Sequence, residues 1–121
     1  MPALRLKSID ANKALAISKE LVNELQELLQ CPRNYFSIEL GQSSFIFDGE
    51  FVEGPQMVDV LWFNRGQEIQ DKVAKIITKY IKSVGYENVD VIFHALEEKI
   101  IMKTENIFNF ILKLNYLIIV K

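Results

Sequence analysis

Two copies of a strand–helix–strand pattern follow one another along this chain, and their starts lie about 55 residues apart. In the first copy, an alternating strand at residues 2–8 precedes a helix, and a second strand follows at residues 35–40. The second copy has a strand at 57–63, a helix at 67–84 and a strand at 89–96. The helix residues predicted to face the core are Ala14, Ile17, Leu21, Leu25 and Leu28, then Ile69, Val73, Ile76, Tyr80 and Val84. No linker separates the copies, so a chain of 121 residues is predicted to form one α+β domain.

Two architectures fit this order of elements. A ferredoxin-like domain interleaves the two copies, so that all neighbouring strands run antiparallel. The alternative keeps each copy as a right-handed parallel pair and joins the two pairs side by side. Hydrophobic periodicity is compatible with both. In either case, the Asp48-Gly49 turn between two short apolar runs predicts a small hairpin between the copies.

Composition excludes several classes of partner. Half of the residues are hydrophobic and a quarter are charged, which is typical of a globular protein. The net charge of −2 gives no general attraction to nucleic acid or to anionic membranes, so neither is expected as a partner. A single cysteine, Cys31, excludes an internal disulfide. Since Arg5, Lys7 and Asp10 also interrupt any leader-like apolar run, a cytoplasmic location is expected.

Pro2 is the candidate catalytic residue, because it directly follows Met1 at the head of the first strand. Removal of an initiator methionine ahead of a small residue leaves a free secondary amine. On a flexible tail, an α-amino group has a pKa of about 7.7–8.0. In an apolar pocket the charged form is disfavoured, the pKa falls, and the amine can act as a general base near neutral pH.

These residues resemble the tautomerase superfamily, which includes 4-oxalocrotonate tautomerase and macrophage migration inhibitory factor. The likeness spans residues 1–99 and consists of an N-terminal proline that opens the first of two βαβ units. More narrowly, the run from Pro55 to Arg65 (PQMVDVLWFNR), with Gln70-Asp71 after it, resembles a small bacterial branch of unassigned function. The resemblance implies the second architecture, a four-stranded mixed sheet with two helices on one face, and assembly as a homotrimer.

The resemblance also implies a chemistry that needs no cofactor. Pro2 would move a proton between carbon and oxygen of a small keto acid or related carbonyl compound. A cationic group would bind the substrate carboxylate and steady the developing enolate. Cys31 occupies the position where relatives have a lysine, and Arg33 lies near it. The implied substrate-binding residues are Arg65, Arg33, Phe63, Asn64 and Trp62, with Asp90 and Ile92 contributed by a neighbouring subunit.

Each of these side chains also has a structural alternative. Arg65 could cap the loop before the second helix or pair with Glu68. Trp62 and Phe63 are also typical core residues, and Arg33 is typical of a solvated turn. The competing interpretation of the whole chain is therefore a non-catalytic oligomeric or small-ligand-binding protein on the same scaffold.

The remaining polar residues allow fewer roles. Glu39 could activate a water, as in hydratase- or dehalogenase-like members of the superfamily. Alternatively, Glu39 and Asp59 pair with Arg5 and Lys7 across neighbouring strands on the polar side of the sheet. His94 has no second histidine and no cysteine at ligand spacing, so no metal site is expected.

Residues 100–121 form an atypical hydrophobic tail, in which 14 of 22 residues are hydrophobic. Relatives in the bacterial branch end with a segment similar to KNYYENGEHF. Deleting one A from the first run of A in codons for that segment gives KIIMKTENIF, which is residues 99–108 here. We therefore expect the tail to be a frameshift product; an intact run of A at the Lys99 codon, at full family length, would contradict this. The alternative is an amphipathic helix with Ile107, Ile111, Leu114 and Ile118 on one face.

Overall fold

A computed structural model of the chain describes residues 2–97 and 99. The tail and its frameshift hypothesis lie outside these residues. The strands are β1 (Ala3–Lys7), β2 (Ser37–Gly41), β3 (Phe45–Phe47), β4 (Glu50–Val52), β5 (Met57–Phe63) and β6 (Asp90–Leu96). The helices are α1 (Ala11–Leu29) and α2 (Gln67–Ser83). Within the described residues, neither helix has an apolar stretch that could cross a bilayer.

The main sheet decides between the two architectures. Its order is β2-β1-β5-β6. The outer pairs β1–β2 and β5–β6 are parallel, and the central pair β1–β5 is antiparallel. This arrangement confirms the predicted mixed sheet of two βαβ units and excludes the ferredoxin-like alternative. The predicted hairpin is also confirmed: β3 and β4 form a separate two-stranded sheet.

The two βαβ units are equivalent about the central strand pair. The backbone N–H of Ser37 donates to the carbonyl of Pro2 at 3.3 Å, just before β1 and β2 begin to pair. In the second unit, the N–H of Asp90 donates to the carbonyl of Gln56 at 3.1 Å. Gln56 therefore occupies in the second unit the position that Pro2 occupies in the first. Because β1 and β5 are antiparallel, these two residues lie at opposite ends of the sheet.

The helices pack on one face of the sheet through the predicted apolar stripes, with a small shift. In α1 the last fully buried residue is Leu29 and not Leu28, which is only partly buried. In α2 the buried residues are Val73, Ile77 and Ile81, and the other predicted residues pack at the edge of the core. The shift arises because 3.6 residues per turn let either of two adjacent positions point inward.

An exposed polar cluster joins the two helices. The Glu24 carboxylate accepts from Lys79 Nζ at 2.6 and 2.7 Å and from the Tyr80 hydroxyl at 2.8 Å. These contacts lower the pKa of Glu24 and raise the pKa values of Lys79 and Tyr80. The cluster therefore links α1 of the first βαβ unit to α2 of the second at the outer surface.

Candidate functional site

Pro2 lies at the start of β1, where the chain enters the sheet between β2 and β5. Its side chain is below 2% exposed and shares the helix-covered face of the sheet with Leu4 and Leu6. Ala3 pairs with Leu61, so continuing this antiparallel register by one residue places Pro2 opposite Trp62. The segment that would present a free amine is therefore held in apolar surroundings by strand pairing.

The two predicted aromatic residues lie beside Pro2 but on opposite faces of β5. Trp62 is 1% exposed, and its ring packs against Phe93 with centroids 5.2 Å apart. Trp62 is thus a core residue whose ring packs β5 against β6. Phe63 is half-buried on the other face, opposite Leu96 of β6.

Asn64 and Arg65 follow β5 at the same end of the sheet as Pro2. The Asn64 Oδ1 accepts from the Gly66 backbone N–H at 2.9 Å, which shapes the turn into α2. Arg65 Nη1 donates to the carbonyl oxygen of Leu29 at 2.6 Å. Leu29 is the last residue of α1, so the guanidinium caps the negative end of that helix. Glu68 pairs instead with Lys72 at 3.6 Å, so the Arg65–Glu68 pair considered above is not formed.

Arg33 is also held by α1, but through neutral partners. Its Nη1 donates to Asn23 Oδ1 at 2.6 Å, and its Nη2 donates to the carbonyl of Lys19 at 3.4 Å. The guanidinium is therefore directed back along the helix, where it lines a groove of about 380 Å³ with Phe36 and Ile38. Of the two predicted cations, Arg65 is therefore the one that lies next to β5, at the end of the sheet where Pro2 lies.

The open face of the sheet contains the predicted cross-strand ion pairs. Arg5 Nε lies 3.2 Å from Glu39 Oε2, and Lys7 Nζ lies 2.9 Å from Asp59 Oδ2. These contacts confirm the pairing interpretation of Glu39. The second oxygen of Asp59 lies 3.1 Å from His94 Nε2. The contacts with Lys7 and then His94 hold the pKa of Asp59 below its usual range.

The sequence predicted the ion pair of Asp59 on the sheet but not its second partner, His94. His94 is the single histidine of the sequence, yet it contacts Asp59 at a sequence separation of 35 residues. The available signal was an aspartate in the middle of an otherwise apolar strand, which needs partners if it is buried. Across residues 2–97 and 99, no three His, Cys, Asp or Glu side chains are arranged to hold a metal ion.

Comparison with known proteins adds to this geometry. Residues 1–106 match the model of a family described as a domain of unknown function, DUF1904. A DUF1904 structure from Sebaldella termitidis ATCC 33386 is 30% identical, with a TM-score of 0.79, covering 86% of this chain and 96% of that one. A protein of unknown function from Vibrio cholerae O1 biovar eltor str. N16961 is 31% identical, with a TM-score of 0.76, covering 85% and 84%. No curated protein matches significantly.

More distant structures share the fold. An asymmetric trimer of a fused 4-OT is 10% identical, with a TM-score of 0.70, and covers 85% of this chain and 93% of that one. Other matches at 21% identity or less include homologues of macrophage migration inhibitory factor and a member of the cis-3-chloroacrylic acid dehalogenase family. The architecture is therefore that of the tautomerase superfamily.

Proposed function

The chain belongs to the DUF1904 family and shares the fold of tautomerases, and we propose that it is a tautomerase-like enzyme with Pro2 as general base. The proposed reaction is the keto–enol isomerisation of a small keto acid or related carbonyl compound. The observation that carries the proposal is the position of Pro2, which is buried at the head of β1. Burial favours the uncharged amine, which is the form that accepts a proton.

The reaction needs one proton and no cofactor. After removal of Met1, the Pro2 nitrogen takes a proton from the carbon next to the substrate carbonyl. The electron pair of the broken C–H bond moves onto the carbonyl oxygen and forms an enolate. Arg65 is the proposed cation for the enolate or for the substrate carboxylate, since fixed positive charge stabilises developing negative charge. The protonated amine then returns the proton to the enolate oxygen.

Arg65 retains the capacity for this role. A guanidinium has five N–H donors, and within the described residues the one hydrogen bond of Arg65 is that from Nη1 to Leu29. Phe63 and Asn64, at the same end of the sheet, are the proposed apolar wall and hydrogen-bonding group. The two remaining predicted residues have supporting places in the proposed site. Arg33 lines the groove beside α1, and Trp62 packs in the core beside Pro2.

The test compares the native protein with Pro2→Ala in the enolisation of phenylpyruvate and in the ketonization of 2-hydroxymuconate, which runs the same proton transfer in reverse. General base catalysis contributes about 10²–10⁴-fold, so a loss of that size is expected. Pro55→Ala, in an exposed loop, is the matched control and should keep full activity. Mass spectrometry of the purified protein should show that Met1 is absent. Retained Met1, or equal activity in Pro2→Ala, would contradict the proposal.

A non-catalytic, ligand-binding protein on this scaffold is the second candidate. It is favoured by the structural contacts of both predicted cations, since Arg65 caps α1 and Arg33 binds neutral groups along it. If neither native protein nor Pro2→Ala turns over either substrate, this second function is supported.

We also propose that the chain assembles as a homotrimer. The hairpin β3–β4 stands apart from the main sheet, with Ile46 69% and Phe47 74% exposed. A cluster of this kind is typical of a protein interface. Asp90 and Ile92, exposed on β6, are the residues proposed to reach a neighbouring subunit's site.

Native mass spectrometry tests the assembly. The double variant Ile46→Ser and Phe47→Ser should release monomers, because it removes apolar area from the hairpin alone. Leu15→Ser is the control, since Leu15 is 72% exposed on α1. A native protein that is monomeric at micromolar concentration would refute the proposed trimer.

The proposed location is the reducing cytoplasm. Cys31 is the single cysteine of the chain and cannot form an internal disulfide, which is usual for proteins of that compartment. Fractionation of cells that express the native gene, with the protein detected by antibody, tests this location.

A further inference from the structure

A second cavity lies at the end of the sheet opposite Pro2. Its volume is about 510 Å³, and it separates the β3–β4 hairpin segment from the body of the domain. Ser8, which follows β1, and Tyr86, which precedes β6, form the wall on the body side. The wall on the hairpin side is formed by Ser43, Ser44, Phe45, Phe51, Val52, Glu53 and Gly54. Gln56 lines the cavity where the hairpin segment returns to the sheet.

Ser8 is the unusual residue of this cavity. Its backbone has φ 62°, a left-handed conformation that favours glycine. Its hydroxyl oxygen is buried and has no hydrogen-bond partner within the described residues. A buried hydroxyl without a partner is rare in folded proteins, because it has lost its hydrogen bonds to water. Serine in this orientation is therefore unfavourable for folding. Its oxygen has almost no accessible surface, so a bound molecule could use the hydroxyl only after the side chain rotates about its Cα–Cβ bond toward the cavity that Ser8 lines.

Two other polar side chains of the cavity, Gln56 and Tyr86, each make one hydrogen bond within the protein. Gln56 Nε2 donates to the Ser8 carbonyl at 3.3 Å, which leaves the Gln56 carbonyl oxygen as an acceptor. The Tyr86 hydroxyl oxygen accepts from the Asp10 backbone N–H at 2.9 Å, which leaves its own proton to donate. With three serine hydroxyls, the wall offers both donors and acceptors. Its one charged side chain is Glu53, which disfavours an anionic ligand.

The wall also has an apolar part. Phe51 is 79% exposed and lines the cavity, and Phe45 lies beside it with its ring against Gly54. A flat aromatic surface next to hydroxyl and carboxylate groups suits a molecule with one C–H face and several hydroxyls. We propose that this cavity binds a neutral polyhydroxylated small molecule of the size of a monosaccharide, and that the Ser8 hydroxyl, rotated toward the cavity, is one of its hydrogen-bond partners.

This site is independent of the proposed Pro2 chemistry. The cavity adjoins Gln56, which is the equivalent of Pro2 in the second βαβ unit. Ser8 lies six residue steps along an extended chain from Pro2, a distance of about 20 Å. Loss of activity in Pro2→Ala would leave this proposal unaffected, and loss of sugar binding would leave the tautomerase proposal unaffected.

Protein-observed NMR titrations with D-ribose and D-glucose test the proposal, with pyruvate as the anionic comparison. We expect saturable shifts of backbone amides at residues 8, 43, 44 and 86 with at least one sugar, and none with pyruvate. Ser8→Gly removes the hydroxyl in a residue that tolerates positive φ. We expect it to raise the melting temperature and to weaken sugar binding about fivefold, the effect of one hydrogen bond.

Two further variants control the result. Ser43→Ala with Ser44→Ala should weaken binding further, and Ser83→Gly, at the end of α2 outside the cavity, should leave it unchanged. Absence of saturable shifts with both sugars would overturn the site. Saturable shifts with pyruvate at the same amides would overturn the ligand class. Unchanged sugar affinity in Ser8→Gly would overturn the role of the hydroxyl.

Discussion

Arg65 links the stability of the domain to its proposed chemistry, and two substitutions separate these roles. Arg65→Met removes both the charge and the donor but keeps an unbranched side chain. Arg65→Lys keeps the charge and one donor group but loses the planar fork that can bind a carboxylate through two parallel hydrogen bonds. Lys75→Met, in an exposed residue of α2 with no hydrogen bond or ion pair within the described residues, controls for loss of a positive charge.

The expected loss of stability follows from the contact with Leu29. A hydrogen bond from a charged donor contributes about 1.5–3 kcal/mol, and a cation at a helix C-terminus about 0.3–1 kcal/mol. Arg65 is largely exposed, so we take a value at the lower end. Arg65→Met should then lower the free energy of unfolding by about 1.5 kcal/mol, or the melting temperature by about 6 °C. Arg65→Lys should lose less than half of this.

Urea unfolding followed by circular dichroism, at one fixed protein concentration, measures the stability effect. Phenylpyruvate enolisation measures the catalytic effect. We expect Arg65→Lys to be nearly as stable as the native protein but at least tenfold lower in kcat/KM. Unchanged stability in Arg65→Met would refute the capping argument. Unchanged kcat/KM in Arg65→Lys would refute the role of Arg65 in binding a carboxylate.

Three further predictions concern the sheet and the hairpin. Trp62→Ala should cost about 3–5 kcal/mol in urea unfolding followed by circular dichroism, and Trp62→Phe clearly less, because the side chain fills the core. Contacts lower the pKa of folded Asp59 below that of the unfolded chain, so its contribution is complete above about pH 4 and is lost as the pH falls through the folded pKa. In Asp59→Asn, the urea concentration at the unfolding midpoint should therefore fall less on acidification than it does in the native protein. Gly54→Ala would place a Cβ against the ring of Phe45 and should speed amide exchange at residues 45–52, whereas Gly41→Ala, with 3.5 Å of space, should not.

The helices and strands were predictable because patterns among neighbouring residues indicate them. The apolar stripe of α2 and its glycine stop predict a helix at 67–84, and the helix spans Gln67–Ser83. Strand direction is different, because alternation reads the same in parallel and antiparallel pairs. The resemblance to a known superfamily, and not the periodicity, favoured the correct pairing of β1 with β2 and β5.

The site was less predictable, because its contacts join distant positions. The Arg65–Leu29 hydrogen bond spans 36 positions, and no local pattern distinguishes a capping arginine from one that binds substrate. The left-handed conformation of Ser8 was equally hidden, because this conformation is usually inferred from glycine or asparagine. Burial of Pro2 depends on strands on both sides, so its position in the sequence alone does not show it.

The matched positions of Pro2 and Gln56 have a consequence for how such a chain can diverge. The nitrogen of Gln56 belongs to a peptide bond, whose delocalised lone pair cannot accept a proton in this pH range. A chain of two βαβ units therefore has at most one free imino group, however alike its halves are in shape. If Pro2 is the proposed base, the Gln56 end has no need of proline, and its side chains can serve recognition instead of proton transfer.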